Sequence, residues 1–304
     1  MLSAKPWRVE AIVRLLLAVF VCLFAGSLLV SWLHYVHPGA KPSACFFVLA
    51  GGALISLGAT LGLLRKPFNL DNLMPRALIL LLCFYSGLIL GSWAQKLAGP
   101  PHAGISVGQM IIATVSFQGA ALVLIAPFLK QHQTTWNEGF GFSNGWQQAI
   151  MFGVLMACIF MPIGRVLQWV SGEIMTHLSH FHIKPEEQQA VETLRIAKSW
   201  VDRLALGIVT ILLAPLAEET LFRGILYPWI KQAGYPRIAL WSTSLVFAAI
   251  HDNLNVFLPL LVLALLLTAL YEKTNNLLAP ITAHASFNAV NLVMLYIFEK
   301  QIGA

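Results

Sequence analysis

The chain has 304 residues, of which 58% are hydrophobic and only 11% are charged. A soluble domain of this length cannot hide so much apolar surface, so the composition excludes an ordinary soluble protein and predicts a multispanning membrane protein. The net charge of +6 does not indicate nucleic-acid binding, because the basic residues are spread through short loops rather than gathered on one face.

Apolar runs of about twenty residues, the length that crosses the hydrocarbon core, recur along the whole chain. The longer runs are 11–36, 44–64, 77–97, 107–129, 146–170, 204–230 and 277–298. Between the last two lie a short segment, 238–250, and a longer one, 254–271. The sequence therefore predicts an all-α, polytopic helical bundle with eight or nine transmembrane helices, depending on whether the short segment spans.

The basic residues give a weak indication of orientation. Strict alternation of the spans, including 238–250, gathers many of them on one side, which the positive-inside rule makes cytoplasmic. They are Lys5, Arg8, Arg14, Arg65, Lys66, Arg76, Lys130, Lys231, Arg237 and Lys273. The opposite loops carry Lys41, Lys96 and the basic residues of 184–203, so the bias is small. We expect a multi-pass protein of the cell membrane.

We expect a single integral membrane domain, 1–304, in three parts. Residues 1–170 form N-terminal transmembrane helices without ionisable motifs, 171–203 a polar connector, and 204–298 a core with ionisable residues inside its helices. The charge pattern of 185–203 predicts a weakly amphipathic helix in the connector, with acidic residues in its first turn. Its later turns carry Arg195, Lys198 and Arg203. This helix is a simple connector or, alternatively, a lid or gate.

Two adjacent glutamates and an arginine interrupt the apolar run 212–226: Glu218, Glu219 and Arg223. Each charge costs about 2.5–3.5 kcal/mol near a bilayer centre, so such residues are paired, hydrated or functional. Glu219 and Arg223 are four residues apart and can pair on one helical face, whereas Glu218 points about 100° away. The pattern predicts a structural role for Glu219 and a chemical role for Glu218, next to a kink at Pro215.

Two further polar elements follow on separate apolar segments. His251 closes the segment 238–250 and shares a helical face with Phe247, and His284 shares one with Asn288. Singly, such residues are more often helix-end or interhelical hydrogen-bonding groups. Together with Glu218, they make a set that suits hydrolysis, because a carboxylate and a histidine activate water while an imidazole and an amide stabilise an oxyanion.

The motifs Glu218-Glu219-xxx-Arg223, Phe247-xxx-His251 and His284-xxx-Asn288, in this order, resemble those of the CAAX protease and bacteriocin-processing family, also called type II CAAX prenyl endopeptidases. The resemblance implies an intramembrane glutamate-type endopeptidase that hydrolyses a peptide bond near the membrane surface, in CAAX-type C-terminal processing or in the processing of a hydrophobic peptide. Glu218 and His251 would activate water, His284 and Asn288 would form the oxyanion hole, and Glu219, Arg223 and Phe247 would support them. No cofactor is implied, although a zinc-dependent version would use Glu218, His251 and His284 as ligands.

Other functions remain open at this stage. A non-proteolytic bacteriocin-immunity or scaffolding protein would use the motifs for packing alone, and a proton-coupled transporter would also bury carboxylates and histidines. A scaffold needs only the Glu219–Arg223 pair, so the complete motif set favours the enzyme. We found no HExxH motif, and none of the cysteines (Cys22, Cys45, Cys83, Cys158) lies near the charged residues. The expected partner is a peptide or protein substrate, with prenylation undecided.

Overall fold

A computed structural model describes residues 3–35, 107–143, 145–178, 193, 197, 199–251 and 253–302. Every regular element in these ranges is helical, which confirms the predicted all-α class. The α-helices are α1 (Val9–Tyr35), α2 (Val107–Thr114), α3 (Ala120–Gln131), α4 (Trp136–Phe140), α5 (Trp146–Leu178), α6 (Trp200–Ile208), α7 (Ala214–Glu219), α8 (Tyr227–Gln232), α9 (Pro236–Ala249), α10 (Leu254–Thr274) and α11 (Leu278–Ile302). Three π-helical turns, Val115–Gly119, Val209–Leu213 and Thr220–Leu226, connect consecutive α-helices.

Six helical stretches within the described ranges are long and apolar enough to cross a membrane. They are Val9–Ser27, Met110–Gln131, Trp146–His177, Trp200–Gln232, Leu254–Thr274 and Leu278–Tyr296. The predicted spans 44–64 and 77–97 lie outside the described residues, so the total of eight or nine stays a prediction.

The short segment predicted at 238–250 forms α9, whose 14 residues extend about 21 Å, less than the hydrocarbon thickness. It nevertheless carries the chain from one end of the bundle towards the other. Before α9, the chain lies at the end of the bundle where Tyr227 of α8 donates to Glu272 near the end of α10. After α9, it lies at the opposite end, where Asn255 at the start of α10 is close to Gly172 of α5. The direction of α9 is therefore the one that strict alternation of the spans requires, although this helix is too short to cross the hydrocarbon core by itself.

The helices on both sides extend into the predicted connector 171–203. Helix α5 continues to Leu178, and α6 begins at Trp200, where the Ser199 hydroxyl accepts the Asp202 N–H at 3.1 Å. Arg203 thus belongs to α6 and not to a later turn of the connector helix, which corrects that part of the expectation. The Ser199 cap explains the difference, because it starts a new helix inside the predicted one. Most of the predicted amphipathic helix lies outside the described residues.

The described residues fall into two compact units, one within 8–128 and one formed by 1–7 and 129–304. In the second unit, α5 and α11 run parallel at close range. A Cβ atom built on Gly153 of α5 would lie 2.6 Å from the Ala279 carbonyl oxygen of α11. Further along, Phe160 packs against Phe287 with ring centroids 5.4 Å apart. This contact fixes the helix that carries His284 and Asn288.

The span Trp200–Gln232 is interrupted by two of the π-helical turns. Val209–Leu213 ends two residues before Pro215, and Thr220–Leu226 ends two residues before Pro228. Proline has no backbone N–H and its ring clashes with the carbonyl four residues earlier, so each of these positions loses one hydrogen bond of a regular α-helix. The irregularity predicted at Pro215 therefore takes the form of a π-helical turn, a feature frequent at functional sites.

Candidate active site

The centre of the candidate site is the Glu219 carboxylate at the end of α7. Its Oε1 accepts a hydrogen bond from Arg223 Nη1 at 3.0 Å and one from His284 Nδ1 at 2.9 Å. Within the described ranges its Oε2 has no hydrogen-bond partner, so one oxygen carries both bonds. Glu219 and Arg223 are 0% and 1% exposed, and His284 is buried with them. The predicted i, i+4 pair is present, and Glu219 also holds the histidine of α11.

Arg223 extends this network to a third helix. Its Nη2 donates to the Ala264 carbonyl at 3.1 Å. Ala264 is the middle residue of the 21-residue α10, so the arginine lies about 15 Å along the helix axis from either end of α10. Since the whole of α10 matches the thickness of a hydrocarbon core, the ion pair lies near mid-depth of this span.

Phe247 is the contact that joins the three motifs. Its ring lies 4.5 Å below the Arg223 guanidinium, a cation–π distance, and packs edge-on against the His284 ring at 5.7 Å. The His251 ring lies 5.0 Å from the same phenyl group. Phe222 covers another edge of Phe247 at 5.4 Å. Phe247 is fully buried, so its position is set by these neighbours.

His251 follows the end of α9 and has a defined hydrogen bond. Its Nδ1 lies 2.8 Å from the Phe247 carbonyl oxygen. A carbonyl oxygen only accepts, so Nδ1 must carry the proton, and in the neutral ring Nε2 is the nitrogen with the free lone pair. His251 is partly exposed, unlike His284.

Asn288 lies one helical turn beyond His284 and connects α11 to the π-helical turn Val209–Leu213. Its Nδ2 donates to the Thr210 carbonyl at 2.9 Å. An amide NH₂ has two hydrogens, so one remains for another acceptor. One N–H of the Asn288 amide thus makes the interhelical hydrogen bond that was predicted as the alternative role, and the second N–H is not used by it.

Glu218 is buried beside this network, with 5% of its surface exposed. It directly precedes Glu219 in α7, so it lies in the same buried turn as the Glu219–Arg223 pair. The structure thus brings Glu218, Glu219, Arg223, Phe247 and His284 into one buried region, with His251 at its edge. In the part of the chain that the structure describes, no group of three or more His, Cys, Asp or Glu side chains is arranged to hold a metal ion.

Sequence reasoning missed the main-chain partners of the site. The Ala264 and Thr210 carbonyls are supplied by apolar or neutral residues that carry no chemical signature. The one sequence signal that bears on Thr210 is Pro215, which predicts a disturbed helix in the preceding turn. The contact of Glu219 with His284 joins residues 65 positions apart, and helical spacing says nothing about it.

These features define a polytopic helical membrane protein with a buried carboxylate, arginine and histidine cluster at mid-depth of its span α10. Residues 200–290 match the family described as type II CAAX prenyl endopeptidase Rce1-like, and this segment contains all three motifs. The resemblance predicted from the motifs is thereby confirmed for this segment, at the level of a membrane protease family.

Three curated relatives are similar to parts of the chain. "Uncharacterized protein YpbD" of Bacillus subtilis is 40% identical over 83 residues, covering 26% of this chain and 40% of the relative. "UPF0177 protein YxdF" of Lactococcus lactis is 33% identical over 84 residues, covering 27% and 44%. "Putative membrane peptidase YdiL" of B. subtilis is 23% identical over 152 residues, covering 50% and 60%. The chain thus spans about two to three fifths of these relatives, and no solved structure matches it.

Proposed function

We propose that the protein is an intramembrane glutamate-type endopeptidase that hydrolyses a peptide bond of a membrane-associated peptide or protein. The observation that carries this proposal is the Glu219 carboxylate, which holds Arg223 of one motif and His284 of another, while Phe247 of the third packs on both. A scaffold would be served by the Glu219–Arg223 pair alone. The convergence of all three motifs on one buried cluster favours a reaction site.

In the proposed reaction, Glu218 and His251 activate the attacking water. The Glu218 carboxylate accepts a proton from water while the water oxygen attacks the carbonyl carbon of the scissile bond. The lone pair on Nε2 of neutral His251 can accept the other hydrogen bond of this water and so help to orient it. The proton then passes to the leaving amine as the tetrahedral intermediate collapses.

The oxyanion would be stabilised by His284 and Asn288. The second N–H of the Asn288 amide remains a donor after the bond to Thr210. His284 donates Nδ1–H to Glu219, so its Nε2 donates as well only when the ring is an imidazolium. Glu219 and Arg223 then act by orienting His284.

The test compares purified wild-type protein with Glu218→Gln on prenylated and unprenylated membrane-embedded peptides, with and without a chelator. Glu218→Gln removes the charge with little change of shape, and we expect it to abolish cleavage in folded protein. Glu173→Gln, at an exposed carboxylate of α5, is the matched control and should cleave normally. Normal turnover by Glu218→Gln would refute the assignment, and loss of cleavage with chelator would favour the zinc-dependent alternative.

A further inference from the structure

The Gly224 carbonyl is buried beside the candidate site and is deprived of its usual helical partner. Gly224 follows Arg223 in the π-helical turn Thr220–Leu226. In an α-helix its carbonyl would accept the N–H of the residue four positions later, but that residue is Pro228, which has none. The indole of Trp7 supplies a donor instead, with Nε1 at 2.9 Å from the Gly224 oxygen in a buried hydrogen bond that joins residues 217 positions apart.

The absence of a side chain at Gly224 lets aromatic rings close on the same turn. A Cβ atom there would lie 2.7 Å from Phe140 Cε1, which no real contact allows. The Phe140 ring in turn packs against Trp7, with centroids 6.0 Å apart, and the His132 ring packs edge-on with the indole at 5.3 Å. The indole is therefore held by its neighbours while it bonds to the turn.

Residues 3–7, which we call the strap, are fixed at two more points. The backbone N–H and the hydroxyl of Ser3 both donate to Asn275 Oδ1, each at 3.1 Å. With its amide oriented to satisfy both groups, Gln232 donates to the Lys5 carbonyl at 3.0 Å and accepts the Lys5 N–H at 2.7 Å. The strap thus connects the end of α8, the residue after α10 and the π-helical turn between α7 and α8.

We propose that the strap positions the candidate site, and that Trp7 is its positioning residue. It acts through the Gly224 carbonyl on the adjacent Arg223, and from there on Glu219 and His284. The proposal assigns a role to an N-terminal segment that lies outside the three motifs and outside the matched residues 200–290. Its consequence for turnover rests on the proposed peptidase function, whereas its consequence for the geometry of the cluster does not.

The geometric test uses nuclear magnetic resonance of the intact protein in detergent, labelled at the tryptophan indoles and histidine rings. The chain has nine tryptophans, and the signal missing from Trp7→Phe identifies Trp7. We expect that indole N–H to be protected from solvent exchange, and the His284 ring signals to shift in Trp7→Phe. Trp169→Phe, at an indole 66% exposed, is the control and should leave His284 unchanged.

The kinetic test uses the peptide that wild-type protein cleaves. We expect Trp7→Phe to lower kcat at least about tenfold with KM within about twofold, because a small misplacement of the reacting groups costs rate rather than binding. Should Trp7→Phe fail to fold, Asn275→Gly replaces it. This change removes the Ser3 acceptor and tolerates the φ of 50° at that position, and it should shift His284 and lower kcat in the same direction.

The outcomes separate the two proposals. Unshifted His284 signals together with wild-type kcat in the strap variants would overturn the positioning role and leave the peptidase intact. Shifted signals in a protein that cleaves no peptide would support the strap and count against the peptidase.

Discussion

Glu218 and Glu219 are adjacent in sequence but differ in what surrounds them. Glu219 is fully buried and binds both Arg223 and His284 through one oxygen. A carboxylate committed in this way orients its partners and is poorly suited to accept a proton from water. Its neighbour Glu218 is turned about 100° around the helix and is the better candidate for proton transfer. Helical spacing predicts this division of roles, and the chemical role of Glu218 stays a prediction.

Arg223 is the residue whose loss should cost most stability. Arg223→Met would strand the buried Glu219 charge, and breaking a buried pair in this way costs about 3–5 kcal/mol. We expect a corresponding loss in the free energy of unfolding, measured by denaturant titration in detergent.

Lys231→Met is the matched control for this change. Lys231 pairs with Glu272, but the two side chains are 29% and 26% exposed, and such a pair contributes about 0–1 kcal/mol. Equal losses in the two variants would mean that burial does not set the strength of the Glu219–Arg223 pair.

At the scale of helices, the contact between α5 and α11 depends on Gly153. Gly153→Ala would place a methyl group 2.6 Å from the Ala279 carbonyl oxygen, so the two helices must separate. Overpacking of this kind costs about 1–3 kcal/mol, and the displacement of α11 should also weaken the His284 bond to Glu219. We expect a lower free energy of unfolding and lower turnover.

The comparison for this prediction is Gly207→Ala in α6. Among the described residues its new Cβ would meet only Leu292 Cδ2, at an ordinary 3.6 Å, and alanine favours the helix by about 0.5–1 kcal/mol. Gly207→Ala should therefore be neutral or stabilising. A Gly153→Ala variant as stable and active as Gly207→Ala would show that the close approach of α5 and α11 is not needed.

Helix α4 gives a pH-dependent prediction. The backbone N–H and the hydroxyl of Thr135 donate to Glu138, and these bonds lower the pKa of the carboxyl below its ordinary value of 4.5. Because the folded-state pKa is depressed, the stabilisation is present above pH 4.5 and is lost as the pH falls through the folded-state pKa.

Glu138→Gln keeps the capping geometry without the charge. We expect the wild type to have the higher Tm at neutral pH, and the difference in Tm to shrink as the pH is lowered to about 3. A difference that stays constant over this range would argue against any contribution from the ionised carboxylate.

At the scale of the molecule, the unit formed by 1–7 and 129–304 has one end that carries α4 and the turn after α10, where the Phe140 carbonyl accepts the Leu277 N–H. Lys5, Lys231 and Lys273 lie at this end, and from the positive-inside rule we predict that it faces the cytoplasm.

In a cysteine-free background, Asn137→Cys should therefore resist a membrane-impermeant maleimide in intact cells, while His177→Cys at the far end of α5 should react. Both should react in lysed cells. The reverse pattern in intact cells would invert the orientation.

The sequence predicts contacts between residues that are close along the chain, but not contacts between distant ones. The Glu219–Arg223 pair is predictable because four residues bring side chains onto one helical face. The bonds from His284 to Glu219 and from Trp7 to Gly224 are not, because they depend on how separate helices pack. Arg203 was misplaced for a related reason, since the Ser199 cap ends one helical pattern and starts another.

The π-helical turn Val209–Leu213 holds one residue more than an α-helical turn. The extra residue is accommodated within the turn, so the loss of a single codon there would leave the residues that follow on the same side of the helix. A deletion of one residue in α7 ahead of Glu218, where the helix is regular, would instead rotate the two glutamates by about 100°, away from His284. The turn can therefore lose a codon that the adjacent helix cannot, although all the side chains of the three motifs remain in the sequence in both cases.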